Sequence, residues 1–71
     1  MTDKAFDEVT SLRLRLEEMR LEHRDLDDAI VSLAASPTGD ELMLRRLKKR
    51  KLALKDRIIA IENMLSPDER A

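Results

Sequence analysis

The chain has 71 residues, of which 41% are charged, 42% apolar and 1% aromatic, with a formal net charge of −1. That length excludes a large core, a single aromatic excludes a base-stacking surface, and the absence of cysteine excludes disulfides and thiolate metal sites. The remaining combination, heavily charged yet apolar at regular spacing, is typical of long helices that each bury one edge.

Thr2 or Asp3 can cap a helix, and neither Gly nor Pro interrupts the chain before Pro37. The stretch is acidic and amphipathic from its start, so it does not read as a secretory signal. No apolar run is long enough to span a bilayer, and a cytoplasmic protein is the expectation. Val9, Leu12, Leu16, Met19, His23, Leu26, Ile30 and Leu33 follow alternating steps of three and four, one seam of a coiled coil. With Val9 at heptad position a, His23 is the only polar residue on that seam. Helix 1 is therefore expected over about 3–35, with a net negative charge.

Ser36-Pro37-Thr38-Gly39-Asp40 holds the chain's only Gly and one of its two Pro residues, and the turn is expected at 36–40. Thr38 with Glu41 reads as a capping box, and Ser36 as cap with Pro37 in the first turn is the alternative. Leu44, Leu47, Lys51, Leu54, Ile58, Ile61 and Leu65 continue the same spacing, so helix 2 is expected over about 41–65. Pro67 stops it, leaving a short tail at 66–71.

Folding helix 2 back onto helix 1 aligns the two seams. Leu33 meets Leu44, Ile30 meets Leu47, Leu26 meets Lys51, His23 meets Leu54, Met19 meets Ile58, Leu16 meets Ile61 and Leu12 meets Leu65. Each arm gives its register independently, and this alignment centres the turn between Thr38 and Gly39, at the chain's Pro-Gly break. The expected fold is thus all-α, a two-helix antiparallel coiled-coil hairpin forming a single domain. Flanking charges put Asp27 near Lys48, Glu22 near Arg57 and Arg13 near Glu62, with Arg20 near Lys55 the mismatch.

Two segments, His23-Arg24-Asp25-Leu26-Asp27-Asp28-Ala29-Ile30 and Leu47-Lys48-Lys49-Arg50-Lys51-Leu52-Ala53-Leu54-Lys55-Asp56, resemble the YdcH family of small bacterial proteins. There a His-x-x-Leu-Asp-x-x-Ile segment precedes a Leu-Lys-Lys-x-Lys-Leu-x-Leu-Lys-Asp segment. The resemblance spans both arms, roughly Phe6 to Ile61, and implies a small helical hairpin without implying an activity. SlyX-like proteins are a weaker analogue, lacking this pairing of segments.

Chemistry-bearing residues are few. His23 and Asp27 stand one turn apart, but a single His without Cys leaves a metal site short of ligands, so neither metal nor cofactor is expected. His23 is expected instead to pack against Leu54 and to find Asp27 or a backbone carbonyl. Lys51 on the second seam is expected to extend its ammonium toward Asp27 or Glu22, setting register and partner number at some cost in stability. His23-Arg24-Asp25-Leu26 matches the opening of a kinase catalytic loop, but Ile30 occupies the position that requires Asn and no Gly-rich loop exists. No catalytic residue is assigned, and no enzyme is expected.

Arg45, Arg46, Lys48, Lys49 and Arg50, together with Lys51, form a basic run that could contact phosphates. Without interleaved aromatics or a recognition-helix context, it reads first as a solvated face drawn to acidic helix 1. Lipid binding has even less support, since Trp is absent and Phe6 stands alone. Phe6, Leu14, Leu21, Leu52 and Ile59 fall off the seams and are the interaction candidates. A two-helix core is small, so self-association is expected, as a dimer forming a four-helix bundle, with docking on another protein through the same residues as the other outlet.

Overall fold

The computed structural model describes the backbone of residues 2–66 and the side chains of residues 7–66. Phe6, as an interaction candidate, and the tail beyond Ser66 therefore lie outside the described residues. Two helices account for the structure, α1 over Thr2–Ala34 and α2 over Glu41–Leu65, and they lie against each other as an antiparallel hairpin. The molecule measures 56 × 27 × 14 Å, one helix thick.

Each helix buries the seam that its spacing defines. Leu16, Leu26, Ile30, Leu54, Ile58 and Ile61 are the buried residues, with Leu12, Met19, Leu47 and Leu65 half-buried around them. His23, Leu33, Leu44 and Lys51 are half-buried at the remaining seam positions. Val9, the first residue of the α1 seam, is 41% exposed. The antiparallel register explains it, because the level of Val9 lies past Leu65, where α2 ends and supplies no facing residue. Even the core residues keep 6–9% of their surface in contact with solvent, as expected for an interior only two helices wide.

Between the helices, Ala35, Ser36 and Gly39 donate backbone N–H groups to the carbonyls of Val31, Leu33 and Ser36, each at 3.1 Å. The Thr38 N–H donates to Ser36 Oγ at 3.3 Å. The cap of α2 differs from both expected forms. Asp40 is the N-cap, in extended conformation, and its carboxylate accepts from Leu42 N at 3.0 Å and Met43 N at 3.1 Å. Asp40 outcompetes Thr38 because an ionised oxygen next to the first turn satisfies two unpaired amides and also complements the positive end of the helix. Ser36 is used inside the turn, with Pro37 before the helix and not within it.

Candidate interaction surface

The off-seam apolar residues are solvent-facing. Leu14, Leu21, Leu52 and Ile59 are exposed at 61, 59, 62 and 44%. Leu14 and Leu21 sit one heptad apart at f, the position turned directly away from α2. Leu52 and Ile59, also one heptad apart, sit at b, to one side of the α2 seam. They therefore make two short ridges on different faces and not one continuous patch. Val31, Leu42, Met43 and Met64 are exposed apolar residues that the sequence reading did not single out. The heptad assignment already places them off the seam, but no two of them occupy consecutive heptads at one position, and so they gave no stripe to notice.

Cross-helix ion pairs sit on the faces the sequence indicates but at different levels. Glu22 accepts from Arg50 Nε at 3.0 Å and Nη2 at 2.6 Å, one heptad from the expected Arg57. Glu62 pairs with Arg20 at 2.7 Å, one heptad from Arg13. Arg20 also reaches Glu17 at 3.4 Å, so the anticipated opposition of Arg20 and Lys55 is relieved by two carboxylates. These two partners raise the Arg20 pKa, the Glu62 hydrogen bond contributing most. A heptad repeat fixes the face of a charge, but long side chains reach diagonally along a groove and choose the level themselves.

Lys51 Nζ bonds Asp27 Oδ1 at 2.6 Å, the seam pairing expected of Lys51, with side-chain exposures of 33 and 52%. The lysine stem thus covers apolar surface while its charge stays at the edge. His23 does not bond Asp27, and its Nε2 is buried with no hydrogen-bond partner among the described residues. The Lys51 hydrogen bond, followed by its charge, holds the Asp27 carboxyl below its ordinary pKa, against a smaller effect of burial.

A depressed carboxyl pKa contributes stability that is present above the unfolded value of about 4 and lost as pH falls through the folded value. The parent protein should therefore lose more stability than Lys51→Leu on acidification from pH 5 toward pH 2, when thermal melts are followed by circular dichroism. At pH 7 Lys51→Leu should itself melt about 4–8 °C higher, because a seam leucine adds roughly 1 kcal/mol of apolar burial. Asp27 remains half in solvent in that variant, so it is not left as a buried unpaired charge.

The basic run divides. Arg50 and Lys51 are held by Glu22 and Asp27, whereas Arg45, Arg46, Lys48 and Lys49 are exposed and form no ion pair among the described residues. Arg50, one of the candidate phosphate contacts, thus has an intramolecular partner in Glu22. Among the described residues no group of three His, Cys, Asp or Glu side chains is placed to hold a metal ion. Nor is either helix long and apolar enough, over the described residues, to cross a membrane.

The model of a family described as "Protein of unknown function (DUF465)" matches residues 16–62, more than half of the chain. Both segments singled out at His23–Ile30 and Leu47–Asp56 fall within that match. No curated protein and no solved structure matches the chain.

Proposed function

The chain belongs to the DUF465 family of proteins of unknown function, and from that premise we propose that it is a non-enzymatic interaction module, a helical hairpin that associates with itself or docks on another protein. We read the YdcH resemblance as a finer statement of the same membership. The supporting observation is the exposure of Leu14, Leu21, Leu52 and Ile59 at 44–62% while both seams are closed. Apolar side chains repeated at heptad spacing on outer faces cost solubility and add nothing to the hairpin's own core. A chain without cysteine is compatible with a reducing cytoplasm as the setting.

Sedimentation equilibrium tests the reading, with the pair Leu14→Ser and Leu21→Ser and the pair Leu52→Ser and Ile59→Ser compared with the parent. A parent mass above the monomer that falls in either double variant supports self-association. For docking on another protein, crosslinking in cells should give a defined adduct that survives nuclease and is lost in a double variant. A monomeric parent at high micromolar concentration, with no such adduct, overturns both forms.

A second reading rests on Arg45, Arg46, Lys48 and Lys49, four cations without an ion pair among the described residues, which would suit a nucleic-acid backbone. Retention on heparin with a steep salt slope, lost when Arg45 and Lys49 become Ala, would favour it over the first.

A further inference from the structure

On one side of the hairpin, the g positions of the two helices meet across the groove. In one layer of that groove Glu22 holds Arg50, a complementary pair. One heptad nearer the open end, the equivalent layer brings together two residues of the same sign, Arg15 and Arg57. Both line a cleft of about 230 Å³ whose floor is Met19, Ala60 and Ile61. Neither arginine makes an ion pair among the described residues. Glu18, one turn along from Arg15, and Asp7 and Glu8, which line the hollow beside it, are not within ion-pair distance of it. The carboxylate in the adjoining cleft, Glu22, is already bound by Arg50.

The neighbouring Glu22–Arg50 layer of this groove places acid against base. The exception falls over an apolar floor, with two exposed guanidiniums whose forked donors match a phosphoryl or carboxylate group in pairs. We propose that the Arg15–Arg57 layer is a binding site for an oxyanion carried on a short apolar body, the anionic head held by the two guanidiniums and the body resting on Met19, Ala60 and Ile61. The same chemistry is presented by a free alkyl phosphate and by an anionic lipid headgroup. The site is independent of the leucine ridges and does not require self-association.

The probe is hexyl phosphate, titrated into isotopically labelled protein by NMR, with cosedimentation on phosphatidic-acid vesicles as the second arm. Saturable shifts centred on the Arg15 and Arg57 Nε–H groups and the Met19 and Ala60 methyls support a free organic anion. Vesicle binding that depends on Arg15 assigns the head to a lipid. Arg15→Glu recreates the complementary layer seen at Glu22 and Arg50, so it should stay folded, melt no lower than the parent and bind at least about tenfold more weakly. Arg57→Gln should weaken binding in the same sense while removing only one charge. Shifts that do not saturate, that are as large at Arg45 and Lys49, or that persist in Arg15→Glu overturn the site.

Discussion

Leu54→Ala should lower the stability of the hairpin by about 2–3 kcal/mol, a large share of the total for a domain this small. Leu54 is 8% exposed and belongs to the same cluster as Leu16, Leu26, Ile58 and Ile61. Truncation removes three carbons from that contact, whose transfer alone is worth about 2 kcal/mol. The estimate stays at the low end of the range known for buried leucines because this interior is one seam wide, and water can enter the space the side chain leaves. His23, the residue facing Leu54 in the register, would then gain access to water for its unpaired Nε2 and recover part of the loss. Chemical denaturation followed by circular dichroism measures the difference. A loss below about 0.5 kcal/mol, the size expected of a surface change, would mean that the seam is not the core.

Gly39→Ala is the second large effect, a net loss of about 1–2 kcal/mol. Its cause is not the usual one for a turn glycine, since Gly39 does not adopt a positive φ. A Cβ added there would lie 2.6 Å from the Leu33 carbonyl oxygen and 3.3 Å from that of Ser36. Both are backbone atoms, one in the last turn of α1 and one in the connection, and cannot swing aside as a flexible side chain could. Forced crowding of that kind costs about 1–3 kcal/mol, which outweighs the roughly 0.4–1 kcal/mol gained by stiffening the unfolded chain. Asn tolerates left-handed backbone and would rescue a glycine needed for that reason. Here Gly39→Asn should be no better than Gly39→Ala. Equal stability of parent and Ala variant in thermal melts would show that α1 and the turn do not approach this closely.

Much of the fold was legible because it is periodic. Leu16, Leu26, Ile30, Leu54, Ile58 and Ile61 are buried because their spacing leaves each helix one apolar edge, and two such edges can be hidden only against each other. The position of Gly39 and Pro37 then fixed where the chain reverses, and with it which residues share a level. The same register leaves Val9 without a facing residue, because its level lies past Leu65, where α2 ends. The cap escaped because Ser36, Thr38 and Asp40 are all competent, and only the path of the turn decides which oxygen reaches the free amides.

The candidate surface was legible in part. Leu14, Leu21, Leu52 and Ile59 are exposed, as their heptad positions require, but that they form separate ridges follows only once both helices are placed in space. Likewise a run of basic residues is visible in the sequence, while the pairing of Arg50 with Glu22 is not.

The order of residues alone determined two helices, a reversal between them and the edges that close together, because helix formation and apolar burial are read at short, repeating intervals. Tertiary structure decided which carboxylate each long cation reaches, which oxygen caps α2, and that Arg15 and Arg57 share one cleft. Those outcomes depend on distances across the groove, where several partners of equal chemistry compete within reach and the repeat assigns a face but not a level.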